Sequence, residues 1–470
     1  MINSLSEGGR LYPSSFLLLF MRYLIVIILS FSFSLSFSQG YFNNWKGSGT
    51  SNSFIGYPSF EFRNNDSLYV SFNAFNQSFN NYNSTISFSD ESGNFLIVSR
   101  RISSTISGNP FNGFCFLDSL GNYILQNEYF ASSPSSYYDQ YMFPMPNHDS
   151  VYMHVGYSNK DTLNNNYRSY FYSLIGYDNA GQLTVQQNDT PFFTNNYFTE
   201  FSSLTVVRHA NQQDFWVVVY DNLTGEPQAF LLDSNGLSST AVTSPNIFPP
   251  SHHIQPCGLC SFALHWEGES ITSSNGAFVG FTYESNLLYN QSIVKPLVLA
   301  PFDPGSGQFP SSLAIDPPSS SPHFNNAPIA PIALEFSPNS KKMYVSWFGL
   351  GLYQYDITNP TKAAIENSAV VIADSIRGFA DLQLGPDQSI YTTRTEVDAL
   401  GNEFNIIGKI DYPNSNGVLC QFSDSLFNSP YSAVTGGANI FLKNFPKYPS
   451  FLFYEPVIEH SSDTCFGDTV

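Results

Sequence analysis

The feature that most constrains the fold is a turn that recurs along the chain, in which an aspartate is followed three residues later by a glycine. Its copies are DESG (90–93), DSLG (118–121), DNAG (178–181), DSNG (233–236) and DALG (398–401). Aspartate at the first position accepts backbone hydrogen bonds, and glycine at the fourth supplies the left-handed conformation that closes a type I turn with a bulge. Strand-like runs such as NFLIVS and FWVVVYD flank these turns. The pattern predicts an all-β chain built from hairpins.

Two segments read as copies of one unit. IALEFSPNSKKMYVS (332–346) and ADLQLGPDQSIYTT (380–393) share an apolar alternation, a proline turn and a strand centred on tyrosine. Pro338 and Pro386, about 48 residues apart, fit the first corner of a turn, because the ring fixes φ and no donor is needed there. A period in the forties with two hairpins per period is typical of four-stranded propeller blades.

We therefore predict a single β-propeller over residues 39–456. Blades of about 60 residues would give seven four-stranded blades, and six or eight stay open as alternatives. The Pro-, Ser- and Gly-rich stretch 301–333 would suit a linker between domains. Because the blade pattern resumes directly after it, we interpret it as a long loop within the one propeller.

The amino terminus has the pattern of a secretory signal. Arg22 precedes an apolar, serine-laced run, and Ser36-Phe37-Ser38 has the small-x-small form of a signal-peptidase site. The run of about fifteen residues is shorter than the ~20 apolar residues of a membrane span. We expect residues 1–38 to be the signal region with a natural start at Met21, no membrane span in the mature chain, and a secreted or cell-surface protein.

The charge balance excludes some partners. The chain has 37 acidic and 18 basic residues, a formal net charge of −19. Nucleic acids and anionic membranes bind clustered lysine and arginine, so neither is expected as a partner. Aromatic residues are 16% of the chain, and clusters such as NNYFTEF and SSYYDQYMF place them beside amides, which suits sugar rings. Most of these rings are nevertheless needed between blades, and a protein or a glycan stays open as the partner.

The densest group of metal-binding residue types is HHIQPCGLCSFALH (252–265), which contains five such residues: His252, His253, Cys257, Cys260 and His265. Two thiolates and two histidines would suit tetrahedral zinc, and the Cys-x-x-Cys would suit an exchangeable disulfide. Zinc sites commonly separate two ligand pairs by a dozen or more residues, and no thioredoxin-like context surrounds these cysteines. A small local disulfide or apolar packing is therefore the favoured interpretation, with no metal and no cofactor.

The other cysteines and histidines show no catalytic pattern. Cys115 and Cys420 fall in predicted strands, where they could form a bridge or pack separately. His148, His154 and His209 stand alone, which is more typical of surface or satisfied core residues than of ligands. The chain has no G-x-S-x-G, H-E-x-x-H, P-loop or calcium-loop motif, so no catalytic residue is assigned and an enzyme is not favoured.

Four segments together resemble a known family. They are FSPNSKKMYVS (336–346), LYQYD (352–356), LQLGPDQSIY (382–391) and PNSNGVLC (413–420). They resemble the amino-terminal propeller-like region of large secreted Bacteroidetes proteins that continue into PKD-like or Ig-like repeats and end in gliding-motility-associated, type IX secretion sorting domains. In that family the cysteine of the last segment recurs, which favours packing for Cys420. Residues 457–470 resemble the first strand of such a repeat and are expected to begin a truncated Ig-like or PKD-like domain.

These observations predict an exported module for binding, adhesion or display on a Bacteroidetes-type cell surface, without catalysis. A propeller-type polysaccharide hydrolase or lyase is the first alternative. A structural spacer within a larger surface protein is the second. The alternatives differ in what the propeller exposes, because an enzyme needs convergent carboxylates in a pocket and a binder needs an accessible contact surface.

Overall fold

The computed structural model describes nineteen segments of the chain: 44–46, 56–63, 67–74, 85–89, 95–106, 109–118, 123–126, 140–148, 151–162, 165–195, 204–220, 226–247, 266–267, 270–282, 284–285, 297–318, 329–374, 381–397 and 403–429. Within them the chain is almost entirely β-structure. All strand pairs are antiparallel, as the hairpin turns predict.

The first half of the described chain forms four sheets. Sheet A contains β1 (Asn44–Lys46), β2 (Gly56–Arg63) and β3 (Ser67–Ala74). Sheet B contains β4 (Thr85–Ser89), β5 (Phe95–Ile106), β6 (Asn109–Asp118) and β7 (Tyr123–Gln126). Sheet C contains β8 (Tyr141–Pro144), β9 (Val151–Thr162), β10 (Asn165–Tyr177) and β11 (Leu183–Asn195). Sheet D contains β12 (Thr205–Arg208), β13 (Phe215–Tyr220), β14 (Pro227–Asp233) and β15 (Gly236–Thr243).

The second half forms three further four-stranded sheets. Sheet E contains β17 (Ser270–Thr272), β18 (Phe278–Phe281), β20 (Leu297–Pro301) and β21 (Leu313–Ile315). Sheet F contains β22 (Pro331–Phe336), β23 (Lys342–Trp347), β24 (Gly351–Asp356) and β25 (Val370–Ala373). Sheet G contains β26 (Asp381–Leu384), β27 (Ile390–Val397), β28 (Glu403–Ile410) and β29 (Phe422–Ser429). A separate pair joins β16 (Trp266–Glu267) to β19 (Glu284–Ser285).

Two short helices lie between strands near the carboxyl end. Helix α1 (Lys362–Asn367) connects β24 to β25, and the Thr361 hydroxyl caps it by accepting the Ala364 N–H. A 3-10 helix (Gly417–Cys420) connects β28 to β29. No described helix is long and apolar enough to cross a membrane.

The sheets follow one another as the blades of a propeller. The first strand of a sheet contacts the first strand of the next, as seen for β1 with β4, β4 with β8, β12 with β17, β17 with β22 and β22 with β26. Each sheet then runs outward from its first strand to its last. The chain is thus an all-β propeller protein, as predicted.

Hydrophobic side chains between neighbouring sheets form the core. Val155 of sheet C packs in one cluster with Val206 and Val217 of sheet D, and Val218 of sheet D packs in another with Val298 of sheet E. Every residue of β13 and of β23 is buried. These second strands have a neighbouring sheet on each face, which explains their continuous apolar runs. Strict alternation of apolar and polar residues is instead typical of a sheet with one face exposed to solvent.

Several finer predictions can be compared with the sheets. All five Asp-x-x-Gly turns lie between strands that pair with each other, and Gly181 has the expected left-handed φ of 73°. Pro338 and Pro386 lie in the turns that join first and second strands of sheets F and G. The interpretation of 301–333 as one long loop was wrong in part, because Leu313–Ile315 forms β21, the outer strand of sheet E. Six described sheets have four strands and one has three, and the count of seven blades stays a prediction.

Candidate functional site

The predicted metal or redox cluster lies outside the described residues. It comprises His252, His253, Cys257, Cys260 and His265, in the connection between β15 and β16. In the part of the chain that the structure describes, no group of three or more His, Cys, Asp or Glu side chains could hold a metal ion. The interpretation of these five residues as a local disulfide or packing stays a prediction.

The three isolated histidines serve structural contacts. His154 is fully buried, its Nε2 lies 2.7 Å from Gln140 Oε1, and its ring meets the edge of Phe116 at 5.0 Å. Burial lowers the pKa of His154 to about 3, so the imidazole is neutral in the folded protein. His148 hydrogen-bonds a backbone carbonyl of the next sheet, and His209 packs against a tryptophan ring.

Loops from neighbouring sheets meet at one end of the propeller. Because antiparallel strands alternate in direction, the connections between first and second strands and between third and fourth strands lie at the same end, which we call the turn end. At each interface from sheet C to sheet G, loops at this end are joined by a hydrogen bond: His148 Nε2 with Ser234 O (3.4 Å), Ala210 N with Pro304 O (3.1 Å), Asn275 N with Ser340 Oγ (3.0 Å) and Asn339 N with Asn414 Oδ1 (3.1 Å). The turn end therefore ties the sheets from C to G together.

At the junction of sheets D and E, a tryptophan supports the loop of the next sheet. Trp216 on β13 donates its indole N–H to the carbonyl of Pro304 at 2.8 Å. Gly307 follows in the same loop with a φ of 74°, and a β-carbon there would lie 2.9 Å from the indole ring. Glycine is needed at this position both for the backbone conformation and for the close approach to the ring.

At the junction of sheets F and G, a tyrosine and a glutamine support the corresponding loop. Tyr344 donates its hydroxyl to Pro413 O at 2.8 Å. The Gln354 amide donates to Tyr344 Oη at 2.6 Å and to Ser415 O at 2.7 Å, and its oxygen accepts the Gly417 N–H at 2.8 Å. Because the Gln354 oxygen and both amide hydrogens have partners, the loop has a defined position against β23 and β24.

Three of the four segments that carry the family resemblance, 336–346, 352–356 and 413–420, contribute residues to this junction. Cys420 ends the 3-10 helix, is fully buried and forms no disulfide, and burial raises the pKa of its thiol. The prediction that Cys420 packs is confirmed. Its placement in a strand was wrong, because Gly417–Cys420 forms a 3-10 helix, in a loop that Ser415 and Gly417 tie to Gln354 by hydrogen bonds. Cys115 lies on β6, as predicted.

The same loop exposes an apolar surface. Val418 and Leu419 on the 3-10 helix are 86% and 68% exposed, and Val370 and Val371 on β25 are 41% and 48% exposed. A β-carbon on Gly417 would lie 3.4 Å from Val370 Cγ1, so the helix and the strand are in contact. We call Val370, Val371, Val418 and Leu419 the apolar patch.

The apolar patch is unusual for a soluble surface. The two segments that form it, 369–373 (AVVIA) and 417–421 (GVLCQ), contain no charged residue. Outer strands of soluble sheets usually carry charges or are covered, and contiguous exposed apolar groups typically mark contact surfaces. Sequence analysis missed this site, although the uncharged run before Asp374 at the outer-strand position of a blade is a signal that could have indicated it.

Comparisons with known proteins give similarity in fold. No family model and no curated protein matches the chain. Sqt1 from Chaetomium thermophilum is 9% identical, with 78% of each chain covered and a TM-score of 0.35. The Cps50 (Swd1) β-propeller domain from Myceliophteria thermophila is 8% identical, with 76% of this chain and 93% of that chain covered and a TM-score of 0.35.

An extracellular domain of a one-component system from B. thetaiotaomicron is 11% identical, with a TM-score of 0.33. The alignment covers 87% of this chain and 53% of that one, so the chain spans about half of that domain. Because all these TM-scores are low, the propeller assignment rests on the sheet topology described above.

Proposed function

We propose that this chain is an exported binding module of the cell surface or extracellular space, and that the apolar patch is its docking surface for a protein partner. The single observation that carries the proposal is the exposure of Val370, Val371, Val418 and Leu419, in two short segments that contain no charged residue. Burying such side chains in a complex is favourable, at roughly 25 cal/mol per Å² of apolar area removed from water.

The base of the patch supports this role. Burial of apolar side chains gives more affinity when the loop and strand that carry them are already ordered, because less conformational entropy is lost on binding. The Gln354 amide already orders the loop that carries Val418 and Leu419, and β25 is already paired with β24. The apolar patch is therefore formed before a partner arrives.

The finer parts of the proposal come from the sequence. The signal-like amino terminus supports export, and the resemblance to secreted Bacteroidetes proteins with PKD-like repeats supports adhesion or display at the surface of such a cell. The net charge of −19 disfavours nucleic acid as the partner.

The test uses the full exported chain, its Val371→Lys/Val418→Lys double variant, and a matched control, Ser239→Lys/Thr240→Lys, on the exposed part of β15. Retention is measured on immobilised extracellular-matrix proteins, glycan arrays and whole cells. We expect retention on a protein surface, an at least tenfold loss in the patch variant, and little change in the control, since both variants add two lysines.

Each other outcome contradicts the proposal. Retention that is equal in both variants places the contact surface elsewhere. Retention on glycans alone makes the partner a carbohydrate. Release of new reducing ends from a polysaccharide supports the enzyme alternative, and retention nowhere supports the structural spacer.

A further inference from the structure

The outer strands of the described sheets differ in how their open edges are protected. An outer strand presents a row of backbone N–H and C=O groups that can pair with another chain, and proteins cover such edges or make them polar. On β15 the exposed positions are polar: Ser239, Thr240 and Thr243. On β11 the exposed side chains include Gln186, Asn188 and Thr194.

The outer strand of sheet E is protected in another way, since it is covered by helix α1. Lys362 donates its ammonium to Ala314 O of β21, and Glu366 Oε1 accepts the Asp316 N–H at 2.8 Å. Ion pairs of Lys362 with Asp316 and Glu366 hold the helix in place. The helix thus occupies backbone groups of β21 that would otherwise face outward.

Strand β25 of sheet F has neither protection. It pairs with β24 through Tyr353 opposite Val371 and Gln354 opposite Val370, and no described strand pairs with its other edge. Its exposed side chains are apolar. An edge of this kind favours addition of an extended strand, with backbone hydrogen bonds giving affinity and side-chain contacts giving specificity.

The surroundings of β25 indicate which strand would fit. The 3-10 helix that carries the exposed Val418 and Leu419 contacts β25 at Val370 through Gly417, so these two side chains can offer apolar contacts to alternate side chains of an incoming strand. Asp374, which is exposed, follows directly after β25. Two copies of a chain with a net charge of −19 repel each other, whereas a basic strand is attracted.

We infer that β25 is a strand-addition site for an extended segment of a partner protein with Val, Ile or Leu at alternate positions and Lys or Arg at its ends. The inference rests on the proposed function and names the partner class of the same apolar patch. Strand addition requires an N–H on the incoming chain, so a proline at the centre of the segment should abolish binding.

The experiment uses the full chain and three synthetic peptides. The first alternates threonine and valine between lysine ends, the second has a central proline, and the third has glutamate ends. We expect binding of the first peptide in the micromolar range, at least tenfold weaker binding of the other two, and a tenfold loss in the Val371→Lys/Val418→Lys variant. The Ser239→Lys/Thr240→Lys control should bind like the wild type.

Amide hydrogen exchange gives a second readout. Bound peptide should slow exchange of the outward N–H groups of Val370–Ala373 and leave β15 unchanged. Equal binding of the proline peptide, or unchanged exchange at β25, would overturn strand addition.

Sedimentation without peptide tests whether a second copy of this chain occupies β25 instead. A concentration-dependent dimer that is lost in the Val371→Lys/Val418→Lys variant would make a second copy the partner and overturn the inference. Retention of matrix proteins or cells by the apolar patch without peptide binding overturns this inference alone. If the chain neither retains matrix proteins or cells nor binds the peptide, the proposed function is overturned as well.

Discussion

At the junction of sheets D and E, Trp216 donates its indole N–H to Pro304 O, whereas at the junction of sheets F and G, Tyr344 donates its hydroxyl to Pro413 O. In both cases the donor lies on the second strand of one sheet, and the acceptor is a proline carbonyl in the last connection of the next. The two junctions differ in what fills the space between the donor's ring and the loop of the next sheet. The indole ring itself packs on Gly307, but the smaller phenol needs the Gln354 amide beside it.

This difference explains why only one of the two junctions presents the apolar patch. The loop at Pro304 lies flat on an aromatic ring and buries Phe309. The loop at Pro413 is held by hydrogen bonds along its backbone, which leave the side chains of Val418 and Leu419 directed to solvent. A junction held by packing serves stability, and one held by a saturated polar network can also serve binding.

The largest expected effect is at the first junction. Trp216→Ala should lower the free energy of unfolding by about 3–5 kcal/mol, because it removes a large buried ring together with the hydrogen bond from its indole N–H to Pro304 O. Urea unfolding measures the change, with Thr240→Ala on the exposed outer strand of the same sheet as control. Equal shifts in the two variants would contradict the role given to Trp216.

Two glycines in corresponding loops sharpen the comparison. Gly307→Ala should cost roughly 2–4 kcal/mol, because alanine is strained at φ 74° and its β-carbon would meet the Trp216 ring at 2.9 Å. Gly417→Ala has the strain of φ 52° but an ordinary contact of 3.4 Å to Val370, so about 1 kcal/mol is expected. Thermal unfolding of both variants measures the difference, and a larger loss for Gly417→Ala would reverse our comparison.

A third contact between sheets, His154 of sheet C against Phe116 of sheet B, adds a pH dependence of its own. The folded pKa of about 3 lies below the unfolded value of 6.5, so the unfolded chain takes up a proton first and stability falls as the pH drops below 6.5. This histidine should account for about 2 kcal/mol of lost stability between pH 8 and pH 5. In urea unfolding, His154→Gln should lose about 2 kcal/mol less unfolding free energy between pH 8 and pH 5 than the wild type does. The same pH profile for variant and wild type would contradict a buried neutral imidazole.

Tyr344→Phe is expected to have an effect as small as that of Gly417→Ala. The variant keeps the ring but removes the hydroxyl between Pro413 O and Gln354, which should cost about 1 kcal/mol. Tyr412→Phe in the same loop is the matched control, since Tyr412 is exposed and the change removes a hydroxyl there too. Equal unfolding midpoints for the two variants would show that the polar network contributes little to the junction.

The fold was predictable to a large extent because its signals are local. An aspartate and a glycine at fixed spacing define a turn wherever they stand, and Pro338 and Pro386 define a corner in the same way. The fate of Cys420 was only half predictable. The family resemblance favoured packing, but no local signal indicated the 3-10 helix, whose loop is hydrogen-bonded to Gln354 on another sheet.

The sequence by itself determined the all-β class, the hairpin turns and the propeller repeat, because turn chemistry and hydrophobic alternation act over a few residues. Only the tertiary structure decided where the apolar patch lies. Its two halves, 370–371 and 418–419, come from different sheets, and their exposure depends on which strand is outermost and which loop a neighbouring amide holds. Such exposure is a property of packed neighbours, and no local pattern contains it.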